Sequence, residues 1–198
     1  MYCLKALDVL KEVDVEKIVG KLLKHQPPDG GFGLDGNWRK SNLRYTYLAI
    51  DTLHMLNRIS SVDKERAVNY ILSLKNPDGS FNESRDEGMS TRAAPLAVIT
   101  LNLLGEISEV DEKTVNSIVG EQMHDGSFRT LENTYYSLLA LQYLGRLDGT
   151  VLSKAVNYVL SLQNLDGGFG WEKGNIRSSL KSTDYALGIL KIARNLRI

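Results

Sequence analysis

One cysteine and three histidines in 198 residues leave little material for disulfide or metal chemistry. Cys3 has no partner for an internal disulfide and cannot build a multi-cysteine zinc site. Neither sign of charge is in excess. The 24 basic and 24 acidic side chains cancel, which removes the basic surplus typical of general nucleic-acid or acidic-membrane binding. No apolar run approaches the roughly 18 residues that a membrane helix needs. Residues 1–10 hold Lys5 and Asp8 within an apolar stretch, so they do not read as a signal peptide. These absences predict a soluble, cytoplasmic protein with no nucleic-acid partner and no membrane span. An apolar content of 42% argues against a disordered chain. Proline is sparse at four against 17 glycines, and the placement of those glycines is informative.

Four strings follow the template Q/K-x-x-D-G-[GS]-F without a gap. They run from Gln26 through Asp29, Gly30 and Phe32, and from Lys75 through Asp78, Gly79 and Phe81. The others run from Gln122 through Asp125, Gly126 and Phe128, and from Gln163 through Asp166, Gly167 and Phe169. The aspartates recur every 41 to 49 residues, the period of a helical-pair array. Before each string lies an amphipathic pattern, at 15–25, 64–74, 112–121 and 153–162. Asp14 and Asp111 are placed as N-caps for two of these helices. After each string comes a loop and a more apolar helix, aligned at Thr46, Ala94, Thr134 and Thr183. The stretch from Leu4 to Leu10 matches this second type. The pattern therefore predicts nine helices in one all-α domain spanning 1–198, arranged as four and a half helical pairs in inner and outer layers.

Each Asp-Gly turn has a structural reading. Asp bonds its own downstream backbone, and Gly accepts positive φ and supplies a left-handed helix C-cap. Gln bonds backbone groups left free at the helix end, and Phe plugs the seam between pairs. A row of catalytic or metal-binding carboxylates at Asp29, Asp78, Asp125 and Asp166 is disfavoured, because catalysis needs one special place.

These motifs resemble the repeat of protein prenyltransferase β subunits, and are similar to the repeat of squalene and oxidosqualene cyclases with Phe in place of Trp. The resemblance covers nearly the whole chain. It implies an α/α toroid around an apolar, aromatic-lined cavity, with the apolar helices as the inner ring. The usual ring has about six pairs, so the resemblance leaves open an arc, a small ring or half of a dimer. It also implies a zinc held by Asp, Cys and His. Here the stretch 181–187 offers Ser182 in place of the histidine, Cys3 has no Asp two residues before it, and His25, His54 and His124 fall in different repeats. The cyclase D-x-D-D acid is missing, with Asp86-Glu87 the nearest acidic pair. The expectation is no metal and no cofactor.

Two patterns exceed what packing demands. Basic residues stand at the starts of three apolar helices, Arg44, Arg92 and Lys181, with Glu132 at the same place in the third repeat. Helix N-termini with basic side chains attract anions such as a diphosphate. Tyr47, Tyr135, Tyr136 and Tyr185 are placed in first turns of the apolar helices, and Trp38 and Trp171 in the loops after Phe32 and Phe169. Aromatic walls suit a prenyl chain. The three basic and six aromatic residues just named are the candidate ligand site, against the alternatives of solvated charges and ordinary core tyrosines. The functional expectation is a binding protein for an isoprenoid diphosphate or other apolar ligand, or for a protein partner. The alternatives are an isoprenoid-metabolising enzyme subunit completed by a homodimer or second chain, and a purely structural repeat scaffold.

Overall fold

A computed structural model describes residues 13–34 and 41–196. Among these are eight α-helices, two short 3-10 turns and only isolated β-bridges. The helices are α1 (Val15–Leu23), α2 (Leu43–Met55), α3 (Lys64–Leu72), α4 (Ala93–Leu103), α5 (Glu112–Val119), α6 (Leu131–Tyr143), α7 (Gly149–Leu160) and α8 (Leu180–Asn195). The ninth predicted helix, at 4–10, lies outside the described residues. The chain divides into two compact units. Unit 1 contains α1 to α4, and unit 2 contains α5 to α8 together with the tip Asp78–Ser80 of the second turn.

In each unit the apolar helices of successive repeats pack on one another, α2 on α4 and α6 on α8, with amphipathic helices against them. Sequence explains the division. All nine residues from Ala93 to Leu101 of α4 are buried, including Thr100, which satisfies its hydroxyl on the Leu96 carbonyl at 2.6 Å. By contrast α3 buries only Ala67, Tyr70 and Ile71. Aspartates cap all four amphipathic helices. Asp14 and Asp111 do so as expected, and Asp63 and Asp148 do the same. Asp148 accepts from the N–H groups of Thr150 and Val151, which starts α7 at Gly149 rather than at 153. The amphipathic helices also end about two residues early. Their last turns tighten into i→i+3 bonds, such as His25 N–H to the Leu22 carbonyl and Leu162 N–H to the Val159 carbonyl.

The left-handed caps correct one expectation. They are not at the Asp-Gly turns but at the ends of α2, α4 and α6, where Asn57 (φ 56°), Gly105 (φ 76°) and Gly145 (φ 64°) follow the last turn. The next N–H then reaches back, Arg58 to Leu53, Glu106 to Leu101 and Arg146 to Leu141, in paired bonds that satisfy the free carbonyls. The Asp-Gly glycines instead close β-turns. Gly30 N–H donates to the Pro27 carbonyl and Gly126 N–H to the Met123 carbonyl.

Candidate functional site

The four turns share one construction. In each, Asp Oδ1 accepts the N–H two residues on, at 3.1 Å in the first turn, 2.9 Å in the second and third and 3.0 Å in the fourth. The same oxygen also takes a serine hydroxyl. In the second and third turns this is the adjacent Ser80 or Ser127, both at 2.7 Å. In the first and fourth, glycine replaces that serine, and Ser41 or Ser178 swings in from 12 residues downstream at 2.6 and 2.7 Å. Space dictates the exchange. A Cβ at Gly168 would lie 2.6 Å from the Ser178 Cβ. The glutamines Gln26, Gln122 and Gln163 donate to the carbonyl of the turn glycine at 3.0, 3.1 and 3.2 Å. Phe32, Phe81, Phe128 and Phe169 are buried, and three of their N–H groups donate to Thr46, Thr134 and Thr183 hydroxyls.

Five of the candidate ligand residues meet in unit 2. The Tyr135, Tyr136 and Tyr185 rings lie 5.4 to 5.8 Å apart between centroids, and Trp171 stands edge-on to Tyr185 at 6.0 Å. Lys181 Nζ sits 5.6 Å from the Tyr185 centroid and 5.8 Å from that of Trp171. The Tyr185 hydroxyl donates to Glu132 Oε1 at 2.7 Å, and Lys181 approaches the same oxygen at 3.8 Å. Tyr136 and Tyr185 hydroxyls face each other at 3.4 Å. Burial pushes the Tyr185 phenol well above the ordinary tyrosine range, and its bonds to Tyr136 and Glu132 push the same way. Tyr136 and Tyr185 are buried, Tyr135 and Trp171 half-buried, and Lys181 exposed. The cluster is therefore an aromatic surface with a cation at its edge. The 14-residue stretch between Phe169 and Thr183 is long enough to carry Trp171 back over α8.

Sequence reasoning missed the residue that makes this packing close. Gly188 lies inside α8, and a Cβ there would sit 2.5 Å from Tyr135 Cε2. The available signal was a glycine in a helix interior, which costs about 1 kcal/mol against alanine and so asks for a packing reason.

Arg44, Tyr47 and Arg92 belong to unit 1, and Trp38 lies outside the described residues. Arg92 is the N-cap residue of α4 and donates through Nε to Glu83 Oε1 at 2.6 Å. Glu83 is buried, and Ser90 also donates to it, so the Arg92 charge is met by Glu83. Arg44 is the second residue of α2, and Tyr47 is buried on the same helix. Unit 1 also holds an apolar cleft of about 320 Å³ between α1 and α2, lined by Ile18, Leu22, His25, Tyr45 and Leu48 among others. None of those residues was a sequence candidate.

Ser182, at the place where the resemblance puts a zinc-binding histidine, is fully buried. Its hydroxyl donates to the Phe169 carbonyl at 2.6 Å and completes a capping box with Ser179. Among the described residues no three His, Cys, Asp or Glu side chains converge as a metal would require. No helix of the described residues is long and apolar enough to cross a membrane.

Comparison with known proteins fits this architecture. The family model of the prenyltransferase alpha-alpha toroid domain matches residues 1–134 and 129–197. The β subunit of geranylgeranyl transferase type-2 from Saccharomyces cerevisiae is 29% identical, over 80% of this chain and 53% of its own length. Drimenyl diphosphate synthase from Streptantibioticus cattleyicolor is 28% identical, over 84% of this chain and 34% of its own. The solved structure of Candida albicans protein geranylgeranyltransferase-I complexed with GGPP superposes with a TM-score of 0.74 at 20% identity, over 93% of this chain and 62% of that one. This chain thus spans about half the length, or less, of the curated relatives it matches. With two repeats in each unit and a family model covering nearly every residue, the chain belongs to the prenyltransferase alpha-alpha toroid domain family.

Proposed function

We propose that this protein binds an isoprenyl diphosphate through the unit 2 cluster. The single observation that carries this reading is a cation held at the edge of four packed aromatic rings. Half-buried Tyr135 and Trp171, backed by the buried Tyr136 and Tyr185 rings, offer an apolar surface for the hydrocarbon, and Lys181 offers the charge for the diphosphate. The relatives' names support the ligand class, since they include geranylgeranyl transferases and a diphosphate synthase. Ser182 supports a reading without zinc: its hydroxyl is committed to a carbonyl, so the residues here do not fit the family's metal. The reading is one of binding. Tyr185 holds its proton and gives its hydrogen bond to Glu132, which leaves no poised acid in the cluster. Several relatives are named as β subunits, which supports assembly with a second subunit.

Titration of geranylgeranyl diphosphate, followed by tryptophan fluorescence and calorimetry, tests the reading. The expected result is saturable binding that weakens about tenfold in Lys181→Ala, while geranylgeraniol, which lacks the diphosphate, is unaffected by that change. Absence of binding at about 100 μM, or equal loss for both ligands, would overturn it.

A further inference from the structure

Five places after each turn aspartate stands a residue that opens the way to the next apolar helix. These residues are Leu34, Glu83, Thr130 and Trp171. In three repeats the backbone presents them from one fixed point. Gly33 N–H donates to the His25 carbonyl at 3.1 Å, Asn82 N–H to the Leu74 carbonyl at 2.9 Å, and Gly170 N–H to the Leu162 carbonyl at 3.0 Å. The accepting carbonyl lies four residues before the aspartate every time. The third repeat has a short connection, and there Thr130 is itself the N-cap of α6.

The fifth residue meets the aligned basic residue differently in the second and fourth repeats. In the second it is acidic. Glu83 Oε1 accepts from Arg92 Nε at 2.6 Å, so the charge at the start of α4 is spent within the chain. In the fourth it is aromatic. The Trp171 ring centroid lies 5.8 Å from Lys181 Nζ, and an indole attracts an ammonium without cancelling its charge. The Lys181 side chain is 58% exposed, against 33% for Arg92. Glu132 stands 3.8 Å from Lys181, and its Oε1 already accepts from the Tyr185 hydroxyl at 2.7 Å.

The fourth loop holds Trp171 in this place. A Cβ on Gly170 would lie 2.5 Å from the Asn175 carbonyl oxygen, so glycine lets the loop fold back on itself beside the indole. Asn175 N–H donates to the Glu172 carbonyl at 3.1 Å, and Ser178 ties the far end of the loop to Asp166 at 2.7 Å.

We propose that the fifth residue after the turn aspartate sets which headgroup the start of the following helix accepts, and that Trp171 is the specificity-determining residue of the unit 2 site. With tryptophan there, Lys181 is open to an anionic headgroup and the ring meets the hydrocarbon. With glutamate there, the chain supplies its own anion and the place is closed to a diphosphate. The inference rests on the isoprenyl diphosphate reading of the unit 2 cluster. It also gives a reason why Arg92, at the equivalent place, is not part of such a site.

A glutamate carboxylate reaches about as far from the backbone as the middle of an indole ring. Trp171→Glu therefore copies the second repeat, and Trp171→Gln is the uncharged control of the same length. Two readouts separate the inference from the reading beneath it. In the ligand-free chain, acetic anhydride labels exposed lysines, and peptide mass spectrometry gives the rate at Lys181. Pairing with a carboxylate keeps the ammonium charged, so Lys181 should react at least threefold more slowly in Trp171→Glu than in Trp171→Gln. With ligand, followed by calorimetry, Trp171→Gln should weaken geranylgeranyl diphosphate and geranylgeraniol by the same factor. Trp171→Glu should weaken the diphosphate at least tenfold more than the alcohol. Trp171→Lys, with the opposite charge, should move that ratio the other way. Equal Lys181 reactivity in the Glu and Gln variants, or a diphosphate-to-alcohol ratio that neither charge moves, would overturn the inference and leave the binding reading in place. A native chain that binds neither ligand would overturn both.

Discussion

Alanine at Gly126 and alanine at Gly167 differ by one physical effect, which makes them a controlled pair. Both glycines adopt positive φ, 91° and 82°, so both substitutions incur the left-handed cost of about 1–2 kcal/mol for a residue with a Cβ. At Gly167 the cost ends there, since the new methyl meets nothing among the described residues. At Gly126 the methyl lands 2.1 Å from the Lys154 carbonyl oxygen, where ordinary contact begins at 3.4 Å. The obstacle is backbone, so α7 must retreat by more than an ångström or the turn must unfold. Overpacking of that kind adds about 1–3 kcal/mol. At about 3 °C per kcal/mol for a chain of this length, Gly167→Ala should lower Tm by about 4 °C and Gly126→Ala by about 10 °C. The asparagine pair isolates the second effect. Asparagine accepts positive φ, so Gly167→Asn should be close to neutral while Gly126→Asn stays costly. Thermal unfolding followed by circular dichroism measures all four. Equal losses at the two sites would refute the reasoning, because backbone conformation alone would then explain the glycines.

Four further outcomes are expected. Gly168→Ser should destabilise by crowding Ser178, and Ser178→Gly alone should remove a hydrogen bond to Asp166. The double variant recreates the second and third turns and should recover stability, giving a coupling of about 1 kcal/mol or more in a denaturant double-mutant cycle. Gly188→Ala improves helix propensity by about 1 kcal/mol yet displaces Tyr135, so near-ultraviolet circular dichroism should change while stability does not improve. Ser179→Ala removes the capping box of α8 and should cost about 1 kcal/mol in urea denaturation. Because the folded state raises the Tyr185 phenol above its ordinary value of 10, its stabilisation is complete below that pH and declines as pH rises past it. Tyr185→Phe should make the alkaline loss of stability shallower, as read by unfolding at about pH 9 to 11.

Much of the fold was legible because its signals are local. Spacing located the eight described helices, since each has one apolar stripe or is apolar all round. Boundaries were less legible. Asp148 bonds two N–H groups upstream of the clearest apolar period, and the tightened last turns shorten all four amphipathic helices, α1, α3, α5 and α7. The candidate site was legible in part. The tyrosines expected in first turns fall in the second turns of α6 and α8, because those helices start at Leu131 and Leu180, and they come together because the two helices pack side by side. Arg44, Tyr47 and Arg92 occupy equivalent places in unit 1, yet Arg92 spends its charge on Glu83. Nothing in their repeat positions distinguishes the two groups. Gly188 escaped notice because its function depends on a ring 53 residues away.

The sequence by itself determined the repeat, the helix types, the aspartate caps and the turn formula, because these depend on contacts within a few residues. It also determined that serine or glycine follows each Asp-Gly. Only the tertiary structure decided what that alternation means, since Ser41 and Ser178 enter the first and fourth turns from 12 residues away. The tertiary structure likewise decided which cation joins an aromatic cluster and which is neutralised. It also decided which turn glycines are seated on a helix and which one is bare. The last distinction is invisible in the local string, since Gly126 and Gly167 share the same formula. What separates them is the presence or absence of another backbone within van der Waals reach.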